Sequence, residues 1–105
     1  MDVLATLTAD KPVVIFSKST CSISHSVQAH ICSFGASYTV IEIDKMENGQ
    51  QIERALIQLG CRPTVPAVFI GQQLVGGADE LISLNVQNKL AQLLLRARAI
   101  FIWSP

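Results

Sequence analysis

Short runs of β-branched residues alternate along this chain with segments of helical periodicity, and this alternation constrains the fold more than any other feature. Four such runs are predicted to be strands: Val13 to Phe16, Tyr38 to Ile43, Ala67 to Ile70 and Gln73 to Val75. Between and after them, apolar residues recur every three or four positions and predict amphipathic helices. The residues expected to face inward are Ile23, Val27, Ile31 and Phe34, then Ile52, Ala55, Leu56 and Leu59, and finally Leu81, Ile82, Val86, Leu90, Leu93 and Leu94. The predicted order is β-α-β-α-β-β-α, with one or two closing helices.

This order of elements predicts an α/β fold. The first two strands are connected through a helix, so they are expected to be parallel with a right-handed crossover. The turn Gly71-Gln72 makes the last two strands an antiparallel hairpin. A thioredoxin-like fold follows, with a four-stranded mixed sheet flanked by helices. Asn48 and Gln51 have the spacing of a capping box at the start of the second helix. Half of the residues are apolar, so residues 1–105 are predicted to form a single domain.

Charge and hydropathy exclude several classes of protein. Eight basic residues balance eight acidic ones, and a net charge of zero offers no electrostatic surface for nucleic acid or an anionic membrane. The N-terminus has no signal-peptide or transit-peptide pattern. The apolar stretch from Leu93 to Trp103 is interrupted by Arg96 and Arg98 and is too short to span a bilayer. We therefore expect a protein of the cytoplasm, with the nucleus as a second location.

Three widely spaced cysteines, Cys21, Cys32 and Cys61, fit neither a disulfide scaffold nor a zinc site. Cys21 follows a strand and a loop and directly precedes the first helix. The first N–H groups of a helix lack intrahelical partners and carry partial positive charge, which stabilises a thiolate. Polar neighbours on both sides favour an exposed, nucleophilic thiol at Cys21 over a buried one. Cys32 lies inside a helix and is expected to be structural, whereas Cys61 fits either an inert or a regulatory thiol.

The residues around Cys21 resemble the active site of glutaredoxins. The segment Cys21-Ser22-Ile23-Ser24 has serine where a dithiol Cys-x-x-Cys motif has its second cysteine, so a monothiol member is expected. The strings from Phe16 to Cys21 and from Pro63 to Gly71, together with Gly76-Gly77, extend the resemblance over nearly the full length. They are most similar to the land-plant class III glutaredoxins, which have a double-cysteine-type active site.

The resemblance implies a catalytic cysteine and a glutathione site built from three segments. The implied residues are Cys21, Lys18, Thr64, Val65, Pro66, Gly77, Ala78 and Asp79. In the family, the lysine pairs with the glycyl carboxylate of glutathione, and a cis proline faces the active-site cysteine. That turn leaves the Val65 N–H and C=O free to pair with glutathione as a strand would. The glycine-rich turn holds the γ-glutamyl end, with Asp79 expected at its ammonium group.

The implied activity is that of a monothiol glutathione-disulfide oxidoreductase. Cys21 takes the glutathionyl group from a glutathionylated substrate, and a second glutathione regenerates the thiolate. Ser22 and Ser24 are hypothesised to donate hydrogen bonds that orient this thiolate. His25 is expected to have a surface or packing role rather than to activate the thiol.

Two alternatives stay open. Related monothiol glutaredoxins hold a 2Fe–2S cluster between two protomers, so Cys21 would be a cluster ligand in a homodimer that also binds two glutathiones. Members of the class also bind TGA-type bZIP transcription factors through an apolar C-terminal tail, and an adaptor of this kind needs little catalysis. This chain departs from the class at Ser22, where a second cysteine is usual. Its tail, Ala99 to Pro105, contains Trp103 but lacks the Ala-Leu-Trp-Leu-like ending of the class.

Overall fold

The computed structural model describes residues 3–100 and contains a four-stranded sheet flanked by helices. The strands are β1 (Val13–Ser17), β2 (Tyr38–Glu42), β3 (Ala67–Ile70) and β4 (Gln73–Gly76). The α-helices are α1 (Val3–Thr8), α2 (Ser22–Ser33), α3 (Gly49–Gln58), α4 (Ala78–Val86) and α5 (Leu90–Arg96), and a short 3₁₀ helix (Ile43–Lys45) follows β2. Within the described residues, no helix has the length and apolar character needed to cross a membrane.

The strand order in the sheet is β2-β1-β3-β4. β1 and β2 are parallel, β3 is antiparallel to β1, and β4 is antiparallel to β3. The turn between β3 and β4 has positive φ angles of 59° at Gly71 and 67° at Gln72, as in the tight hairpin turns that match strand twist. The predicted thioredoxin-like α/β fold with a mixed sheet is therefore confirmed.

β1 lies at the centre of the molecule and is buried at every position. Side chains of a strand alternate between the two faces of its sheet, so β1 contributes to two cores. Val13 and Ile15 belong to the core under α2, α4 and α5, which also contains Val27, Ile31, Leu81, Leu90 and Leu94. Val14 and Phe16 belong to the core under α1 and α3, which also contains Leu4, Ile52, Leu56 and Phe69. Helices are thus needed on both faces of the sheet.

The helices differ from the predicted pattern at both ends of the chain. α1 was not predicted, because six residues are too few to show a helical period, yet it buries Leu4 against the second core. Of the one or two closing helices predicted, the structure has two, α4 and α5, which are separated at Asn88 with a φ of 59°. The inward orientation predicted for Ile23 and Leu59 is wrong, since they are 55% and 52% exposed. It is also wrong for Ile82 and Val86 in α4, which are 58% and 75% exposed. α4 turns the face with Leu81 toward the core, and the two exposed residues lie on a neighbouring stripe.

The start of α3 also differs from the prediction. Asn48 is the N-cap residue of α3, where the sequence placed it, but its side chain makes no capping hydrogen bond, so the predicted capping box does not form. Instead, the chain turns tightly between the 3₁₀ helix and α3. A Cβ atom at Gly49 would lie 2.0 Å from the Ile43 carbonyl oxygen, so this approach requires glycine.

Replacing a core residue of α3 is expected to cost far more stability than replacing an exposed one of the same type. Ile52 is fully buried, whereas Ile57 on the same helix is 44% exposed. Ile52→Ala should lower the free energy of unfolding by about 2–5 kcal/mol, because it leaves a cavity between α3 and the sheet. Ile57→Ala should change it by less than about 1 kcal/mol. Urea unfolding of both variants measures the difference, and equal losses would contradict the described packing.

Candidate functional site

Cys21 lies at the end of the connection between β1 and α2. β1 ends at Ser17, residues 18–20 form a turn, and Cys21 is the N-cap residue of α2. Its N–H donates a hydrogen bond to the Lys18 carbonyl oxygen at 3.0 Å, which closes the turn. The residue is half-buried and its side chain makes no capping hydrogen bond. The thiol is therefore placed at the N-terminal end of a 12-residue helix, where the unpaired N–H groups favour negative charge.

The sheet register brings the other predicted segments to this same end of the molecule. Ser17, the last residue of β1, lies opposite Glu42, the last residue of β2. Phe16 lies opposite Ala67, so Pro66 precedes β3 beside the end of β1. Val68 in turn lies opposite Gly76, the last residue of β4. The cysteine loop, the proline turn and the glycine-rich turn are consequently neighbours.

The proline and glycine-rich turns are in direct contact. A Cβ atom on Gly77 would lie 3.2 Å from the Pro66 carbonyl oxygen, so only a residue without a side chain fits there easily. The Val65–Pro66 peptide bond is cis, as the family resemblance implied, and Arg62–Pro63, for which no cis bond was predicted, is also cis.

A groove of about 440 Å³ opens beside these turns. Four of the predicted site residues line it: Pro66, Gly77, Ala78 and Asp79. Ile23, which follows the active-site cysteine by two positions and is 55% exposed, forms part of the opposite wall. Asp79 is exposed and has no ion pair with any other residue between 3 and 100. The groove therefore combines an apolar wall with a carboxylate at one end.

The other four predicted residues do not line this groove. Thr64 and Val65 are partly buried in the turn ahead of Pro66, and Lys18 and Cys21 lie in the loop after β1. In the part of the chain that the structure describes, the Val65 N–H and C=O form no hydrogen bond. The Val65 backbone is thus available to an extended ligand, as the resemblance implied.

Two carboxylates hold the loop that carries Cys21. Asp44, in the 3₁₀ helix, accepts a hydrogen bond from the Ser19 N–H at 3.1 Å and another from the Ser19 hydroxyl. These two bonds, the hydroxyl first, hold the pKa of the Asp44 carboxyl below its ordinary value. Glu53, in α3, forms an ion pair with Lys18 at 2.6 Å between Nζ and Oε2. Lys18, which the resemblance assigns to a ligand carboxylate, is therefore engaged by a carboxylate of the chain itself.

A third carboxylate lies in the groove. Glu80 accepts a hydrogen bond from the Gly77 N–H at 3.3 Å, across the first turn of α4. Cys61 also lines the groove and is buried. Burial, and then the negative charge of Glu80, raise the pKa of the Cys61 thiol. Both effects oppose thiolate formation at Cys61, which favours the inert of the two possibilities, inert or regulatory, that the sequence left open.

The remaining residues singled out from the sequence have varied surroundings. Ser24 is fully buried and its hydroxyl has no hydrogen-bond partner among the described residues, so the structure contains no bond from Ser24 to the Cys21 sulfur. His25 is exposed, in keeping with a surface role. Cys32 lies in α2 as predicted but is exposed, so the structural role expected for it is wrong.

Sequence reasoning missed the three carboxylates Asp44, Glu53 and Glu80. Glu53 and Asp44 lie 35 and 25 positions from the loop residues they contact, and no local pattern connects such distant residues. Glu80 did have a signal, because an acidic residue three positions after a helix N-cap commonly reaches back to it.

The stabilising effect of Asp44 is expected to depend on pH. Its pKa is lower in the folded chain than in the unfolded one, so its contribution is complete above about pH 4 and is lost as the pH falls through the folded-state pKa. Asp44→Asn should therefore be less stable than the parent chain at pH 7, and the difference should shrink between about pH 4 and pH 2. Urea unfolding across this range measures it, with Asp10→Asn, at an exposed position outside the loop, as control. A difference that stays constant down to pH 2 would contradict the Ser19–Asp44 interaction.

Comparison with known proteins identifies the family. A family model described as glutaredoxin matches residues 13–75. Monothiol glutaredoxin-S1 of Arabidopsis thaliana is 61% identical over 102 residues, covering 97% of this chain and 100% of that protein, and monothiol glutaredoxin-S6 of the same plant is 57% identical over the same length. The crystal structure of a buckwheat glutaredoxin–glutathione complex superposes with a TM-score of 0.87 at 37% identity, over 92% of this chain and 88% of that one. This chain therefore belongs to the glutaredoxin family.

Proposed function

We propose that this glutaredoxin is a monothiol oxidoreductase that removes glutathione from mixed disulfides through Cys21. The observation that carries the proposal is the juxtaposition at one end of the sheet. A half-exposed thiol at a helix N-terminus lies at the same end of the sheet as a turn with a free backbone edge and a groove that ends in a carboxylate. The buckwheat relative of similar fold was solved with glutathione, which supports the same ligand class here.

Glutathione offers groups that match this arrangement. It is an extended tripeptide, so its central cysteine residue can pair with the Val65 backbone as an added strand. Its γ-glutamyl ammonium group would lie near Asp79, whose carboxylate is unpaired among residues 3–100. The same end carries a carboxylate, for which the first N–H groups of α4 are the natural donors. In this orientation the central cysteine residue of glutathione would lie at the turn that precedes β3, beside the end of β1 from which the Cys21 loop starts.

The reaction is a pair of thiol–disulfide exchanges. The Cys21 thiolate attacks the glutathione sulfur of a mixed disulfide, a Cys21–glutathione disulfide forms, and the substrate sulfur leaves as a thiolate that takes a proton from water. The thiolate of a second glutathione then attacks the glutathione sulfur bound to Cys21. Oxidised glutathione leaves, and the Cys21 thiolate is regenerated. The net reaction converts the mixed disulfide and one glutathione into the free substrate thiol and oxidised glutathione, so the single incoming glutathione is the reductant.

The usual intramolecular competitor of the second glutathione, a cysteine three positions after Cys21, is missing from this sequence. Serine occupies position 24, and serine cannot form a disulfide with Cys21. Cys61 is held as a buried thiol, and Cys32 is exposed eleven positions along α2, about three turns from the N-cap. The geometry therefore favours a monothiol mechanism.

The cluster and adaptor alternatives stay predictions. Cys21 is the thiolate that would hold a 2Fe–2S cluster shared with a second protomer, and the other sulfur ligands would be the partner's cysteine and two glutathiones. Within residues 3–100, His, Cys, Asp and Glu side chains form no group of three or more that could hold a metal ion. Binding of TGA-type factors depends on the tail, and residues 101–105 lie outside the described part of the chain. The cytoplasmic and nuclear location also stays a prediction.

Replacing Cys21 is expected to abolish glutathione-dependent turnover. The test substrate is the mixed disulfide of glutathione with a small thiol, and formation of oxidised glutathione is followed with a coupled reductase. Cys21→Ser should reduce the rate to that of the uncatalysed exchange, because no other thiol is placed to form the intermediate. Cys32→Ser is the matched control, since it removes an exposed thiol from the same helix and should keep the parent rate within about 2-fold.

The turnover assay tests the oxidoreductase activity and the role of Cys21 separately. Turnover that survives in Cys21→Ser would overturn the role of Cys21. A parent chain that is folded, fully reduced and inactive would overturn the proposed oxidoreductase.

A further inference from the structure

Two donors near the expected carboxylate positions of glutathione, the Lys18 ammonium group and the Gly77 N–H, are both engaged by carboxylates of this chain. The Lys18 ammonium group is paired with Glu53 at 2.6 Å, and the two side chains are 37% and 32% exposed. The Gly77 N–H at the start of α4 is bonded to Glu80 at 3.3 Å. A ligand that uses either donor must displace an internal carboxylate from it.

Both internal contacts have the chemistry of the ligand contacts they replace. A lysine ammonium group attracts the glycyl carboxylate of glutathione as a point charge, and Glu53 presents the same group from α3. The N-terminus of α4 attracts the α-carboxylate of the γ-glutamyl residue, and Glu80 presents the same group from within the helix. Glutathione has two carboxylates, and the chain supplies one competitor for each.

The location of Glu80 adds charge repulsion to this competition. Glu80 lines the groove next to Asp79, so two negative charges lie at the end where one carboxylate and one ammonium group of glutathione must bind. Asp79 suits the ammonium group. Glu80 both occupies a donor and repels the ligand carboxylate, so the groove favours ligands with fewer negative charges than glutathione.

We infer that Glu53 and Glu80 are specificity-determining residues that act as internal competitors of glutathione and lower its affinity. This inference rests on the proposed glutathione site. Glu53 acts on the glycyl end through Lys18, and Glu80 acts on the γ-glutamyl end through the Gly77 N–H. Glu53 and Glu80 therefore compete with different carboxylates of glutathione, so their effects on its affinity can be measured separately.

Affinity for glutathione derivatives that cannot react tests this inference. S-methylglutathione forms no disulfide, so its dissociation constant with the native chain can be measured by titration calorimetry or by NMR. Glu53→Gln frees Lys18 and should tighten binding by about 2- to 5-fold. Glu80→Ala frees the Gly77 N–H and should tighten it by a similar factor of about 2 to 5. The double variant should gain both factors, because the two sites contact different ends of the ligand.

The glycyl monoethyl ester of S-methylglutathione separates the two roles. It lacks the carboxylate with which Glu53 competes, so Glu53→Gln should leave its affinity unchanged, whereas Glu80→Ala should still tighten it. S-methylglutathione has a net charge of −1 and the ester has none, so a general loss of negative charge would tighten the acid in any such variant, Glu47→Gln included. Glu47→Gln is the control for that effect, because Glu47 lines the same hollow as Lys18 and Glu53 but has no ion pair within the described residues.

The outcomes separate failure of this inference from failure of the proposed function. Tighter binding in the two variants, with the ester affected only by Glu80→Ala, supports the competition. Unchanged or weaker binding in Glu53→Gln and Glu80→Ala, with the parent chain binding S-methylglutathione, would overturn the competition and leave the glutathione site intact. Absence of binding in the parent chain and in all folded variants would overturn the glutathione site itself.

Discussion

Burial of β1 on both faces is the constraint on which the rest of the structure depends. Its alternating side chains enter two separate cores, so helices must cover the sheet from both sides. β1 is also paired along both edges, with β2 on one side and β3 on the other. The end of β1 is therefore held in place beside the turn at Pro66, and the loop that follows it leads to Cys21 at the start of α2. The geometry of the candidate site is a consequence of where the central strand ends.

Carboxylates dominate the polar contacts around this end of the sheet. Asp44 holds the loop through Ser19, Glu53 holds Lys18, and Glu80 closes the first turn of α4. Each carboxylate accepts a hydrogen bond from an N–H group that would otherwise bind water or a ligand. These contacts within the fold fix the loop and the turn relative to the sheet. In the proposed site the same contacts would both preorganise the donors and compete with an anionic ligand for them.

The fold and most of the site segments could be predicted because their signals are local. A buried β-branched run such as Val13 to Phe16 needs no distant information, and neither does a cysteine placed between a strand and a helix. Sequence patterns gave wrong predictions of burial where the same helical pattern was compatible with more than one buried face. Ile82 and Val86 fit a helical stripe, yet the short α4 buries only the stripe that contains Leu81. Cys32 follows an apolar residue in the sequence, but it lies on the solvent-exposed side of α2.

The sequence by itself determined the order of the elements, the mixed sheet, the monothiol motif and the family, since each follows from residue type and spacing along the chain. Only the tertiary structure decided which groups Lys18 and the Gly77 N–H contact, because charge pairing depends on distances in space. Glu53 is 35 positions from Lys18 and reaches it only after α3 packs on the sheet. Glu80 is near Gly77 in sequence, but its effect on Cys61 requires α4 and the end of α3 to meet in one groove. The type of each residue is fixed by the sequence, whereas its hydrogen-bonding and charged partners depend on how the helices pack on the sheet.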